Sequence, residues 1–189
     1  MRIVAVTDRK RSVRPLAEQV GLVCRAGADM VVLREKDLPE REYRGLAAEI
    51  GRICSRHGVE FCADSSFDVP ADSRWLPFKD FTPGARTGAS VHSRQEGVEA
   101  SRLGASFVVY GNVFETTCKP GKPAKGLEEV RALSGELDIP VYAIGGISPA
   151  NIREVFLSGA SGACLMSGLM SSEDPAEVVA RCREQCRFP

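Results

Sequence analysis

Two glycine-containing loops in the C-terminal half of the chain have the composition of an anion-binding site. Gly145-Gly146 follows one apolar run, and Ser167-Gly168 follows the next. Glycines leave backbone N–H groups uncovered, so an anion can approach them closely, and a helix that begins behind such a loop adds a favourable dipole. These residues predict a phosphate site. The alternative is a pair of turns that binds nothing.

Charged side chains stand after several other apolar runs. Arg34 and Lys36 alternate at the end of one run, and Lys119 lies in a loop with glycine and threonine. Such cations suit a phosphate or a pyrophosphate, although isolated cations are more often only solvated. Asp64 and Asp80 are candidates for binding Mg²⁺ together with phosphate oxygens. The alternative is that two aspartates so far apart in the sequence share no role.

Three further residues have side chains suited to polar or proton-transfer chemistry. Ser90 and His92 end one apolar run and point the same way if the strand there is regular. Histidine is the usual proton-transfer residue at neutral pH. Cys118 stands beside Lys119, and a neighbouring cation favours the thiolate form of cysteine. Most of the other six cysteines lie in apolar runs, which predicts buried free thiols.

Short apolar runs alternate with segments of helical spacing on a repeat of about 20–25 residues, which indicates parallel strands joined by helices. Eight runs read as strands, and they favour a closed (β/α)8 TIM barrel over an open doubly wound sheet. The segment 64–74 is too short for a full helix between the third and fourth strands. The eight runs are Ile3–Thr7, Met30–Leu33, Val59–Cys62, Trp75-Leu76, Thr87–Val91, Ser106–Tyr110, Val141–Ile144 and Ala163–Met166.

Helix starts are marked by their own capping residues. Ser93 and Glu96 form a capping-box pattern, and Ser148-Pro149 and Asp174-Pro175 place a capping side chain before a proline. In a TIM barrel the active site lies where strands run out into the loops that precede such helices. The candidate phosphate-binding, metal-binding and proton-transfer residues named above are predicted to lie at or next to those loops.

Composition narrows the class of protein. The chain has 189 residues, which fits one domain spanning 1–189, and it balances 25 basic against 25 acidic residues. A nucleic-acid-binding protein usually has a basic excess, and this chain has none. No apolar run is long enough to cross a membrane, and the N-terminal segment lacks the features of a signal peptide. We expect a cytoplasmic protein that acts on a small molecule.

Six short motifs follow one another along nearly the whole chain. They are Val4-Ala5-Val6-Thr7-Asp8, Leu33-Arg34-Glu35-Lys36, Ser90-Val91-His92-Ser93, Gly111 to Lys119, Ala143-Ile144-Gly145-Gly146-Ile147 and Met166-Ser167-Gly168. Together they resemble the thiamine-phosphate synthase and TenI superfamily. The order and spacing agree best in the C-terminal half, and details there resemble the TenI branch, which includes a thiazole tautomerase. The resemblance also points to a homo-oligomer.

The synthase branch implies a reaction that joins hydroxymethylpyrimidine pyrophosphate to a thiazole phosphate with Mg²⁺. By resemblance, Asp64 and Asp80 match the metal carboxylates, and four residues match pyrophosphate contacts. Those four are Arg34, Lys36, Ser90 and Lys119. The chain departs from the synthase pattern at Val32, where a glutamine is expected, at Ala63-Asp64-Ser65 for Asn-Asp-Arg, and at Trp75 to Phe78 for His-Leu-Gly-Gln. These changes predict poor synthase activity.

The tautomerase branch implies proton transfer on a thiazole phosphate without metal or cofactor. Its histidine base is replaced here by Asn112, and an amide cannot serve as that base at neutral pH. Cys118 is then the preferred substitute over His92, with Asn112 retaining a hydrogen-bonding role. Our first prediction is a TenI-like tautomerase that binds a thiazole phosphate at Gly145, Gly146, Ser167 and Gly168. The alternatives are a thiamine-phosphate synthase and a non-catalytic phosphate-binding regulatory protein.

Overall fold

A computed structural model gives the fold, and it describes residues 1–64, 67–118, 121 and 123–187. Eight parallel strands form a closed barrel in sequence order, and β1 pairs with β8 through Ile3 and Ala163. The strands are β1 (Arg2–Val6), β2 (Met30–Leu33), β3 (Glu60–Ala63), β4 (Ser73–Pro77), β5 (Thr87–Val91), β6 (Val108–Gly111), β7 (Val141–Ile144) and β8 (Gly162–Leu165). The predicted (β/α)8 barrel is confirmed.

Seven α-helices surround the strands in the described part of the chain. They are α1 (Leu16–Arg25), α2 (Glu40–Arg56), α3 (Arg94–Arg102), α4 (Glu128–Glu136), α5 (Ile152–Leu157), α6 (Ser167–Met170) and α7 (Pro175–Gln185). Within the described residues, no helix has both the length and the apolar character needed to cross a bilayer.

The capping residues locate two of the three expected helix starts. Ser93 Oγ accepts a hydrogen bond from Glu96 N at 3.1 Å, and Asp174 Oδ1 caps α7. The prediction at Ser148-Pro149 was wrong by about one turn, because α5 begins at Ile152. Asn151 Oδ1 accepts from Ser148 N at 2.8 Å and holds the intervening residues in a separate turn.

The core has two layers separated by the strands. Side chains of alternate strand residues fill the barrel interior, while the opposite faces pack against the helices. Trp75 lies inside the barrel with only 4% of its surface exposed. The interior layer consists of Val4, Val6, Met30, Val32, Cys62, Trp75, Phe107, Val109, Tyr142 and Cys164.

The connection between β3 and β4 contains no helix among its described residues, which confirms the predicted shortening. After β4 the chain makes only one turn of 3₁₀-helix, Phe78–Asp80, before β5. Most strands of a TIM barrel are followed by a covering helix. The outer side of β3 and β4 therefore stays open beside α2.

The N-terminal ends of the strands are closed by an ion-pair cluster, which we call the lower network: Arg2, Glu60, Ser73, Arg86 and Tyr142. The Glu60 carboxylate accepts from Arg2 at 2.8 Å and from Ser73 Oγ at 2.7 Å, and it forms an ion pair with Arg86 at 3.0 Å. Arg2 also donates to Tyr142 Oη at 3.1 Å. Every charged member of this cluster has a partner of opposite charge.

Candidate active site at the carboxyl ends of the strands

A cleft of about 560 Å³ opens at the carboxyl ends of β2, β3 and β4, where the covering helix is missing. It unites Lys36, Asp64 and Asp80, three of the residues predicted to bind pyrophosphate or metal. One wall is apolar and the other carries charges. Its lining is Glu35, Lys36, Tyr43, Asp64, Phe67, Arg74, Leu76, Pro77, Asp80 and Thr82.

Asp64 is the buried acidic centre of this cleft. It is 6% exposed, and its carboxylate lies 3.3 Å from Arg34 Nε and 3.4 Å from Lys36 Nζ. Burial raises the pKa of Asp64 above its ordinary value, although the charges of Lys36 and Arg34 act in the opposite direction. Both cations keep about half of their side-chain surface exposed, so they can also contact a ligand in solution.

Asp80 supplies a second carboxylate on the wall of the same cleft. Its side chain is 57% exposed and lies 3.8 Å from Lys79 Nζ. The described residues contain no cluster of three or more His, Cys, Asp or Glu side chains that would hold a metal on their own. Asp64 and Asp80 on one cleft nevertheless fit Mg²⁺, because this ion is commonly held by one or two carboxylates together with substrate phosphates and water.

Glu35 organises the strand ends beneath these cations, and sequence analysis did not predict its role. It is 4% exposed and accepts from Thr7 Oγ1 at 2.8 Å and Arg9 N at 3.0 Å. Thr7 Oγ1 in turn accepts from Arg34 N at 2.9 Å. Its place directly after β2, between two cations, was the available signal, but residues 34–36 lie past the end of the strand, so strand alternation does not give the direction of the Glu35 side chain.

Arg74 is a second residue that sequence analysis missed. It lies on β4 and lines the cleft, and its Nη2 donates to Phe67 O at 2.6 Å. A lone arginine in a weak strand normally reads as a surface residue. It reaches the cleft here because the shortened connection leaves this side of the barrel uncovered.

Ser90 and His92 diverge in the structure. Ser90 Oγ accepts a hydrogen bond from Trp75 Nε1, next to the barrel interior. His92 follows the last residue of β5 and is exposed, and its Nδ1 lies 3.0 Å from Gly111 O. The condition of a regular strand therefore fails at His92, although roles for both residues stay predictions.

Asn112 is 3% exposed and binds its own loop. Its Nδ2 donates to Phe114 O at 3.4 Å and to Pro123 O at 3.3 Å. Cys118 is a partly exposed free thiol, and its backbone N donates to Thr116 Oγ1 at 3.2 Å. Lys119 lies outside the described residues. The catalytic roles predicted for Asn112 and Cys118 stay predictions.

The two glycine-containing loops stand side by side, because β7 and β8 are paired neighbours. Gly146 has φ +67°, and a Cβ there would lie 2.3 Å from Glu115 O, so the loop after β6 packs directly on it. The backbone N–H groups of Gly146, Ser167 and Gly168 have no acceptor among the described residues. Three uncovered donors at adjacent strand ends suit a phosphate.

The fold defines a class, the TIM-barrel enzymes, in which active sites lie at the carboxyl ends of the strands. Comparison with known proteins narrows the class to one family. The family described as "Thiamine monophosphate synthase" (TMP-TENI) matches residues 3–74 and 78–169. This chain belongs to that family, as its sequence motifs predicted.

Two relatives and one solved structure match this chain along most of their own length. A thiamine-phosphate synthase of Pyrococcus horikoshii is 32% identical over 186 residues, which cover 92% of this chain and 89% of the relative. One from Syntrophomonas wolfei is 35% identical over 184 residues and covers 89% and 88%. The solved structure of a thiamine phosphate pyrophosphorylase from Pyrococcus furiosus is 30% identical, with a TM-score of 0.88 over 98% of this chain and 95% of the other.

Proposed function

We propose that this protein is a Mg²⁺-dependent thiamine-phosphate synthase, which joins hydroxymethylpyrimidine pyrophosphate to a thiazole phosphate and releases pyrophosphate. The relatives named above are synthases, and they favour this alternative over the tautomerase prediction. The observation that carries the proposal is the grouping of Asp64 with Arg34 and Lys36 in a cleft that also contains Asp80.

The chemistry of the leaving group explains why such a grouping is useful. Negative charge builds on the pyrophosphate as its bond to the pyrimidine methylene carbon breaks, and cations fixed beforehand stabilise that charge. Arg34 and Lys36 are fixed through Asp64, and the backbone of Arg34 is held by Thr7. Mg²⁺ held by Asp64 and Asp80 would supply further positive charge there.

The thiazole phosphate would occupy the other side of the rim. The uncovered N–H groups of Gly146, Ser167 and Gly168 support its phosphate being held there, away from the cleft. The two substrates would then be held at separate strand ends, with their reacting atoms directed towards the space between. This arrangement uses binding energy to orient the reaction.

The departures from the synthase pattern affect the pyrimidine. Val32 and Ala63 are fully buried and apolar, so neither provides the hydrogen bonds that glutamine and asparagine would provide at those positions. We expect a high KM for the pyrimidine substrate, together with pyrophosphate affinity in the ordinary range. Both expectations follow from a changed pyrimidine pocket beside an intact charged cleft.

The test is to incubate the purified protein with each substrate set. With both synthase substrates and Mg²⁺ we expect thiamine phosphate and pyrophosphate in equal amounts, and neither when Mg²⁺ is chelated. Aromatised thiazole from the non-aromatic thiazole carboxylate phosphate, without any thiamine phosphate, would establish the tautomerase instead. Retention of thiazole phosphate without turnover of either set would establish the regulatory binding protein.

A further inference from the structure

Arg74 is a partly buried cation whose charge has no partner within the described part of the chain. Its Nη2 donates to the Phe67 carbonyl, whereas its Nε is buried and finds no acceptor among the described residues. No described carboxylate forms an ion pair with it, although Asp64, Asp80 and Glu35, which pairs with Arg9, line the same cleft. A guanidinium withdrawn from water without a counter-charge is unfavourable.

Arg44 is a second arginine that binds the connection between β3 and β4, but it is not among the residues that line the cleft. Arg44 Nη1 also donates to a carbonyl of the connection between β3 and β4, that of Asp68. Arg44 is exposed and paired with Glu40 at 2.7 Å. Binding the connection therefore needs neither burial of the guanidinium nor an unpaired charge, and both features are particular to Arg74.

We infer that Arg74 binds the pyrophosphate group in the cleft, together with Lys36. The planar guanidinium can donate two parallel hydrogen bonds to phosphate oxygens, and the cleft that Arg74 lines also has the apolar side chains of Phe67, Leu76 and Pro77 in its lining. This inference rests on the proposed function, because it names a further residue that contacts the leaving group.

Calorimetric titration with Mg²⁺ and inorganic pyrophosphate tests this contact without turnover. Arg74→Met should weaken pyrophosphate binding about 10-fold to 100-fold, the range expected for losing hydrogen bonds to a charged group. Arg74→Lys should lie between the wild type and Arg74→Met, since it keeps the charge and loses the paired donors. Arg44→Met is the matched control and should bind as the wild type does.

The outcomes separate this inference from the proposed function. If the wild type does not bind pyrophosphate, the proposed function is overturned, and the role of Arg74 with it. If the wild type binds and Arg74→Met binds equally well, only the inference is overturned. Equal weakening in Arg74→Met and Arg44→Met would also overturn it, since it would show that Arg74 acts through the connection. Circular dichroism checks folding, and if Arg74→Met does not fold, the comparison of Arg74→Lys with the wild type decides.

Discussion

The two ends of the barrel differ in whether their buried charged side chains are paired within the fold. In the lower network, Glu60 is held by Arg2, Arg86 and Ser73, so every charged side chain there has a partner of opposite sign. At the carboxyl ends of the strands, Arg74 has no described counter-charge, and Asp64 shares its charge with cations that stay half exposed. The carboxylate at one end is paired within the fold, whereas our proposal has a ligand complete the other end. The uncompensated charge in the cleft is what supports that proposal.

The largest effect we expect is the loss of synthase activity in Asp64→Asn. The amide keeps the shape of the carboxylate, but without its negative charge it would bind Mg²⁺ more weakly and cannot fix Arg34 and Lys36 by charge. We expect kcat to fall at least about 100-fold, within the range for losing one strong electrostatic contribution. The measurement is thiamine phosphate formation with both substrates saturating. Asp68→Asn, an exposed aspartate in the same connection, should retain activity.

Asp64→Asn should lower activity without lowering the stability of the fold. Because burial raises the pKa of this carboxyl, folding disfavours its ionised form relative to the unfolded chain. Removing the charge should therefore leave the thermal midpoint unchanged or higher. A clear fall in both stability and activity would show that Asp64 is a structural ion-pair partner like Glu60, and the contrast between the two ends would fail.

Gly168→Asp should produce the second-largest effect, on the thiazole side of the rim. A Cβ at Gly168 meets nothing within 4 Å, so the new carboxylate enters open space and repels a phosphate. We expect KM for thiazole phosphate to rise about 10-fold or more, the size of a like-charge penalty of 1–2 kcal/mol near a surface. Gly146→Asp is a poorer test, because its Cβ would collide with Glu115 O.

A matched control for this substitution is Gly45→Asp, in the exposed part of α2, where a Cβ also meets nothing within 4 Å. It adds the same charge far from the proposed phosphate site. An equal rise in KM in both variants would indicate a general charge effect, and an unchanged KM in Gly168→Asp would remove the phosphate from these loops.

Glu60→Gln is expected to lower stability while leaving the reaction intact. The side chain of Glu60 is 13% exposed, and its loss leaves Arg2 and Arg86 without their carboxylate. Because these arginines are themselves 34% and 63% exposed, we expect a cost of about 1–3 kcal/mol, below that of a fully buried pair. Denaturant unfolding measures it, and kcat and KM should match the wild type.

The pKa of Glu60 determines how the stability lost in Glu60→Gln changes with pH. Burial alone would raise the pKa of Glu60, but hydrogen bonds from Ser73 and Arg2 outweigh it and leave that pKa below its usual value. The stabilisation by Glu60 is then fully present above the unfolded pKa of about 4.3, and it is lost as pH falls through the lower folded value. The difference in the free energy of unfolding between the wild type and Glu60→Gln should therefore shrink as the pH falls through the folded pKa of Glu60. A constant difference would contradict the ion-pair explanation.

The sequence predicted the barrel because its strands are short, buried on both faces and separated by helices. It also placed Arg34, Lys36 and Asp64 at strand ends, where parallel strands bring them together. Arg74 could not be predicted in this way. Its position in the cleft depends on the absence of a helix between β3 and β4, and the sequence alone did not show which residues that absence exposes.

Local irregularity limited the prediction at two other places. His92 lies past the end of β5, so the period of two that relates it to Ser90 does not apply. Asn112 was interpreted through the residue that it replaces, whereas its amide binds the carbonyls of Phe114 and Pro123. Both cases depend on loop geometry after a strand, which hydrophobic patterning does not specify.

Cys118→Ala should have the smallest effect on synthase turnover, and for that reason it distinguishes the two reactions. As a synthase the protein needs no base at this thiol, because the charges that assist the leaving group lie across the rim at Asp64, Arg34 and Lys36. Thiamine phosphate formation should therefore be nearly unchanged. A tautomerase that uses Cys118 as its base should lose at least about 100-fold in aromatisation of the thiazole, the usual contribution of such a group.

His92→Ala serves as the comparison. The His92 ring lies against Gly111 O, so its removal should affect either reaction little. Loss of thiamine phosphate formation in Cys118→Ala alone would place this cysteine in the synthase site and make the loop after β6 a third contributor to it, beside the charged cleft and the glycine loops.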